Sequence, residues 1–496
     1  FHKTAMSISI EKINSTVFPI RDNGTQKSLP ILKKNPKDGV NSRLSPHSQN
    51  ISSGTVDHEQ WSELAWSALN RAFIRYPSTK FCCPGSNEKE LFVRLYTIRS
   101  RNGTAMKWLK FHTSYVFAYA WGQTELPLPP GPFESFERAG RPVGGRLGKA
   151  FTNVMVRGRM GSMPYRRVAY DILMSKLGFP PAPKEFVDNA LLDHRKALSR
   201  NPVIDSDTTE RILSCVRDEI SNICKSVFSH ERFVHRDPIP SLRACQENDL
   251  KNAGSLGELI TGFSAGHSFL PEPDTLFGMI ELGPNSVREL RFVDMRERVL
   301  AFHSYVDDLW LSRIPEGLHA TPVPILEPLK VRIITKGQAA EYYRAVELQK
   351  LMHGALRKHP MFQCIGHPIS EDDWATTFGS ISELEEDQFF VSGDYKAATD
   401  NLRSDLSEYT WNEICHQVRC RFDNDRFLSM TPYFDLGQKC LTGHILHYDD
   451  DEVNQTWGQL MGSPMSFPIL CIVNAAATLV ALGEHYREDF PIRVNG

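Results

Sequence analysis

Residues 389–402 read Phe389-Phe-Val-Ser-Gly-Asp394-Tyr-Lys-Ala-Ala-Thr-Asp400-Asn401-Leu402. The apolar run Phe389 to Val391 predicts a short strand, and Gly393 ends it. Asp394 is delivered at the carboxyl end of that strand. Six residues later Asp400 falls where the chain turns into helix, with Thr399 or Asp400 near its cap. A carboxylate at a strand end followed by a second one about a turn later is a mount suited to a hard divalent cation. A helix cap beside a turn aspartate would leave the same pattern, so the neighbouring sequence has to decide.

Upstream, Lys330-Val-Arg-Ile-Ile-Thr-Lys336-Gly337 predicts a strand. With a period of two, Lys330, Arg332 and Lys336 share one face, and Val331, Ile333 and Thr335 share the other. Three cations in register over an apolar backing form a rail for a phosphate chain; an edge strand with a basic outer face has the same signature. Downstream, Gly458-Gln-Leu-Met-Gly462-Ser463-Pro464-Met465-Ser466-Phe467-Pro468 is a small-residue loop ahead of an apolar helix. Ser466 reads as its N-cap, Pro468 fits the first turn and Gly483 closes it. Ile469, Ile472, Val473, Ala476 and Leu479 predict a core stripe. Asn474 is either a satisfied core amide or a ligand contact. Asp449, Asp450 and Asp451 read as an acidic turn just before the loop.

The strand-rich texture begins near Thr321. It alternates with helices (one is expected over 340–358), which gives a mixed α+β arrangement. Before it, from about Trp61, helical patterns such as EQWSELAWSALNRAF dominate, broken by Pro/Gly loops at 126–133 and 269–274. Residues 1 to about 55 are rich in Ser, Asn, Lys and Pro and are expected to stay disordered, because they cannot bury enough apolar surface to offset their ordering entropy. The divisions expected are 1–55, 56–320, 321–380 and 381–496.

The 496 residues carry 57 basic and 59 acidic side chains, a formal charge of −2, with 41% hydrophobic and 23% charged residues. That balance excludes a chain that is mainly disordered or collagenous, and any polyanion signal has to be local. One local signal exists. Arg138, Arg141, Arg146, Lys149, Arg157, Arg159, Arg166 and Arg167 lie within thirty residues that contain six glycines and no acid. Clustered guanidinium groups suit phosphates, although a solvated basic loop would look alike. Ten scattered cysteines without a C-x-x-C pair argue against a disulfide framework. Cys215, Cys224, His230, His235 and Cys245 are the densest Cys/His group, the one place a zinc site could form, although their gaps are irregular. The longest apolar run, Phe467 to Leu482, is interrupted by Asn474 and too short to span a bilayer, so no membrane span is expected.

In this order and spacing, EPLKVRIITKG (327–337), GDYKAATDNL (393–402) and GQLMGSPMSFPILCIVNAA (458–476) resemble motifs F, A and B of viral RNA-dependent RNA polymerases, most closely the ourmia-like and narna-like group. The resemblance implies a right-hand fold with fingers and a partial palm, and two-metal nucleotidyl transfer from NTPs with Mg²⁺ or Mn²⁺, the ions about 4 Å apart. It implies Asp394 as catalytic metal ligand and Asp400 near the ribose 2′-hydroxyl. Lys330, Arg332 and Lys336 would hold the triphosphate, and Gly462, Ser463 and Ser466 would form the loop that positions nucleotide and template. It makes Arg141, Arg146, Lys149, Arg157, Arg159, Arg166 and Arg167 candidate contacts to RNA template and product, and implies replication of a positive-strand genome in the host cytoplasm. The family's third metal motif is strand, Gly-Asp-Asp, strand. Phe490 to Gly496 looks like its first strand and glycine, so a fragment without its motif C aspartates and thumb, inactive alone, is the expectation. A non-catalytic RNA-binding remnant of an integrated polymerase gene and a reverse transcriptase are the alternatives.

Overall fold

The computed structural model describes residues 57–75, 84–130, 145–201, 206–233, 238–266, 295–327, 329–362, 364–366, 370, 397–419, 424–449 and 451–483. The expected disordered segment 1–55, the strand 389–391, Asp394 and the stretch after Gly483 lie outside them.

Helices dominate the first half. The chain runs through α1 (His58–Ile74), α2 (Ser86–Arg101), α3 (Ala105–Trp121), α4 (Gly145–Arg159), α5 (Met163–Met174), α6 (Lys184–Leu198), α7 (Asp207–Phe228), α8 (Gly254–Gly266) and α9 (Met295–Arg313). Trp61, Ala65, Leu69, Ala72 and Phe73 recur at helical spacing and are all buried, which turns one stripe of α1 into a core face. The Trp61 indole N–H donates to the Pro181 carbonyl at 2.8 Å, so its polar edge is satisfied inside that core. Helices α1 to α5 enclose this first core, built around Trp61, Phe73, Phe92, Tyr96, Leu109 and Phe151.

As expected from the sequence, strands begin near residue 320. β1 (His319–Glu327) pairs antiparallel with β2 (Lys330–Gly337), with Thr321 opposite Lys336 and Ile325 opposite Arg332. β3 (Ile445–Tyr448) lies parallel to the start of β1 through His319 and Ala320, and antiparallel to β4 (Asp451–Asn454), giving the order β2-β1-β3-β4. Pro322 and Pro324 sit in β1 beyond its pairing with β3, where one side of the strand is an edge and a missing N–H costs little. Asp449 occupies the turn between β3 and β4, in line with the expected acidic turn.

The second core gathers α7 to α9 with α10 (Ala339–Leu356), α12 (Ser404–Arg419), α13 (Asn424–Lys439) and α14 (Ser466–Leu482); the four-residue α11 (Ala398–Asn401) precedes α12. α10 matches the helix expected over 340–358. In α14 the predicted stripe Ile469, Ile472, Val473, Ala476 and Leu479 is buried, but so are Cys471, Ala475 and Ala477, so the helix is a central rod and not an amphipathic one. The Arg344 guanidinium, fully buried in α10, bridges Asp307 of α9 at 2.7 Å and Glu347 at 3.0 Å. A third, small cluster (Leu198, Ala320, Leu446 and Leu460) ties the end of α6, the sheet and the loop before α14 together.

Among the described residues no helix is long and apolar enough to cross a membrane. The seven described cysteines are free thiols, six of them buried. Cys215 and Cys224 lie on α7 and Cys245 in a loop, His235 is outside the described residues, and no three metal-ligating side chains gather among those described.

Candidate functional site

β2 alternates as its sequence predicts. Ile333 and Thr335 are buried, whereas Lys330 and Arg332 are exposed and Lys336 is partly so. The three cations therefore share the outer face. Two of them already face carboxylates: Arg332 Nε donates to Glu327 at 2.9 Å, and Lys336 Nζ to Asp249 at 3.3 Å. Exposed pairs of this kind are weak enough to be exchanged for a phosphate.

The buried face of β2 docks on the loop before α14. Thr335 N–H donates to the Met461 carbonyl at 2.8 Å. Gly462 has φ of +146°, and a Cβ there would lie 2.1 Å from the Thr335 carbonyl oxygen. Only glycine permits both the conformation and that approach.

The same loop holds the Asp400 segment. Gln459 N–H donates to the Thr399 carbonyl at 2.9 Å, and its Nε2 to Ser407 Oγ at 2.9 Å. Gly458, at φ +72°, lies against the Asp400 backbone, where a Cβ would come within 2.8 Å of the carbonyl oxygen. Gln455 Nε2 donates to the Gly458 carbonyl at 2.9 Å, while its Oε1 faces His444 Nδ1 at 3.0 Å. Burial draws the His444 imidazole down to about 4, so it is neutral here. On the far side, Thr456 and Trp457 N–H groups donate to the Leu198 carbonyl at the end of α6. The structure thus brings together the three segments that the sequence singled out, and it joins them mainly through backbone.

Asp400 sits in α11, next to Ala397, whose φ of +50° is unusual for a residue with a side chain. Thr399 Oγ1 donates to Asp400 Oδ1 at 3.2 Å. Burial outweighs that bond and pushes the carboxyl up to about 6. Its charge also reaches Tyr448, whose hydroxyl burial already pushes up and which shares a 2.9 Å hydrogen bond with His194 Nδ1. Trp457 closes this flank, with the Arg200 guanidinium 4.0 Å from its ring and Arg403 5.6 Å away.

One expectation is corrected. Ser466 is not the N-cap of α14: the helix starts at Ser466 and Met465 precedes it as the cap, while Ser463 Oγ accepts from the Met465 N–H at 3.3 Å. That bond goes to the cap residue itself, and no side chain among the described residues caps the first-turn N–H groups of α14. Ser463 and Ser466 are both buried; Ser463 Oγ donates to the Cys440 carbonyl, and Ser466 Oγ meets no hydrogen-bond partner among the described residues.

Beside them lies a buried polar layer that sequence reading missed. It contains Glu341, pushed by burial up to about 7, with the Tyr342 hydroxyl and the Cys440 thiol, both pushed up as well. Gln455, Gln459, Trp457 and Leu198 were also missed. Gln455 and Gln459 bond through their side-chain amides to Gly458, His444 and Ser407, while Leu198 acts through its carbonyl and Trp457 through its ring and N–H; none of these residue types marks a site by itself.

Of the basic stretch, Arg141 and the Arg146 side chain lie outside the described residues. Lys149, Arg157, Arg159 and Arg167 are exposed and Arg166 is half-buried, on the paired helices α4 and α5 and not on a loop. Asp394, the metal ligand that the resemblance implies, is also outside. Asp400 is the hard oxygen donor that the described part of the site offers, one member of the set a divalent cation needs.

No family model matches the chain. It is 28% identical over 401 residues to the RNA-dependent RNA polymerase of Ourmia melon virus (isolate Melon/Iran/VE9), covering 78% of this chain and 45% of that protein. It is 27% identical over 146 residues to the RNA-directed RNA polymerase of Saccharomyces 23S RNA narnavirus, covering 29% of this chain and 15% of that protein. The chain thus spans less than half the length of these curated relatives. With geometry and likeness together, the chain is similar to the RNA-dependent RNA polymerases of ourmia- and narna-like viruses.

Proposed function

We propose that this chain carries the fingers and part of the palm of a right-hand, RNA-directed RNA polymerase that replicates a viral genome in the host cytoplasm. The observation that carries the reading is the convergence of β2, α11 and the 458–463 loop, through Thr335 N–H to Met461 and Gln459 N–H to Thr399. Three segments far apart in sequence are held at one place, which also carries the basic outer face of β2 and the Asp400 carboxyl.

In this reading Lys330, Arg332 and Lys336 bind the triphosphate of an incoming NTP, giving up their surface carboxylate partners as they do so. Asp400 accepts a hydrogen bond from a ribose hydroxyl, which favours its ionised form and lowers its pKa on binding. Its partly buried position makes an unmatched sugar costly, since a deoxyribose leaves the carboxylate with the Thr399 hydroxyl but without the second donor. Gly458 and Gly462 keep the loop close enough to hold both groups in register. A divalent cation, Mg²⁺ or Mn²⁺, would supply charge neutralisation at the phosphates, with Asp394 as its ligand.

The test is NTP incorporation on an RNA template by this chain carried in a polypeptide of the length of its curated relatives. Template-dependent incorporation of NTPs is expected, with dNTPs strongly disfavoured, and Asp394→Ala should abolish synthesis while RNA binding persists. Preferred use of dNTPs, or near-normal synthesis by Asp394→Ala, would contradict the reading.

A further inference from the structure

The basic helices α4 and α5 do not stand alone. The C-terminal end of α3 presents aromatic side chains to them, and the contact is unusually close. Gly158 of α4 packs on Ala120, where a Cβ would fall 2.8 Å from the alanine Cβ and 3.2 Å from its backbone. That approach brings the Arg159 guanidinium within 5.1 Å of the Tyr119 ring centroid. Arg166 of α5 donates from Nε to the Gly158 carbonyl at 3.0 Å, which fixes its guanidinium 5.4 Å from the Trp121 ring. Phe117, one turn before Trp121, lies 5.7 Å from it and 6.3 Å from Tyr170 of α5.

These rings are not core. Trp121 is 42% exposed and Tyr170 48% exposed, while Phe117 is half-buried between them. Met160 and Met163, where α4 gives way to α5, are exposed as well. The nearby acid, Asp171, faces Arg75 at 3.4 Å, so its charge is matched locally. Arg167 and Lys149 add exposed cations to the same pair of helices.

We infer that Phe117, Trp121 and Tyr170 form a stacking platform for the bases of single-stranded RNA, with Arg159, Arg166 and Arg167 as its phosphate contacts. The inference deepens the polymerase reading and rests on it for the choice of RNA as ligand. Aromatic faces interleaved with guanidinium groups are what a strand without sequence preference requires, because every base has a π-face and every nucleotide a phosphate. A purely electrostatic surface would not need exposed tryptophan and tyrosine.

The test is fluorescence anisotropy of a labelled oligouridine of about ten nucleotides on the 496-residue chain, across a salt series. Trp121→Ala with Tyr170→Ala should weaken binding about tenfold or more with an unchanged salt slope, and Trp121→Phe should retain most of the affinity. Arg159→Ala with Arg167→Ala should instead lower the salt slope, and an abasic strand should bind the parent no better than the base-bearing strand binds the aromatic double variant. Both aromatic positions are exposed, so unchanged thermal unfolding is the control for folding. Unaltered affinity in the aromatic variants, equal binding of the abasic strand, or binding of anionic lipid vesicles in preference to RNA would overturn the platform. The polymerase reading fails separately: it is lost when template-dependent synthesis is absent, whether or not the aromatic variants lose RNA.

Discussion

β2 and the loop that ends at α14 meet at one hydrogen-bonded seam, yet they contribute in opposite ways. β2 offers side chains: its cations lie on a wet face, and its partners are surface carboxylates. The loop offers backbone. Its glycines make close approach possible, and its serines are buried and engaged with, or packed against, the protein itself. A residue that a motif marks for a ligand can thus be marked for the scaffold that holds the ligand's other contacts. Substitutions in the two regions should therefore separate stability from binding.

The largest effect on stability belongs to the loop. Gly462→Ala places a Cβ 2.1 Å from the Thr335 carbonyl in a backbone conformation that L side chains avoid, so the seam has to open. A loss of several kcal/mol is expected, on the scale of overpacked or strained sites, read as a fall in the denaturant midpoint. A small fall would show that the seam is not rigid. Ser463→Ala comes next. It leaves the Cys440 carbonyl and the Met465 N–H without their side-chain partner, which costs about 1–3 kcal/mol. Full stability in Ser463→Ala would show that these two bonds do not hold the loop.

A third effect is a pH dependence. Asp400, at about 6 in the folded protein against 3.8 as a free side chain, and Glu341, at about 7 against 4.5, both bind protons more tightly when folded. Their protonated forms favour the fold, so this stability is fully present below about pH 4 and is lost as pH rises through about 6 and 7. Chemical denaturation across that window should show a falling contribution that Asp400→Asn removes in its lower part. A slope that Asp400→Asn leaves untouched would place the carboxyl in water.

Much of the architecture was legible in the sequence. The period of two in β2 and the apolar texture of α14 are strong because each reports directly on which faces water leaves. α12 escaped notice although Leu406, Trp411, Ile414, Cys415 and Val418 recur at helical spacing and are buried. The seam escaped notice for a different reason. Thr335, Met461, Gln459 and Thr399 act through N–H and carbonyl groups, which every residue has, so no residue type points to them. Ser466 was misplaced because an N-cap serine and a serine one position into the helix differ by a single backbone angle.

The smallest effect on stability makes the sharpest test. With Lys330, Arg332 and Lys336 all changed to alanine, thermal unfolding should move little, since each exposed cation contributes about 0–1 kcal/mol. Binding of an NTP to the same variant should fall tenfold or more and lose most of its salt dependence. A marked drop in thermal stability with NTP affinity intact would contradict the division between a side-chain strand and a backbone loop, and with it the assignment of this face to the triphosphate.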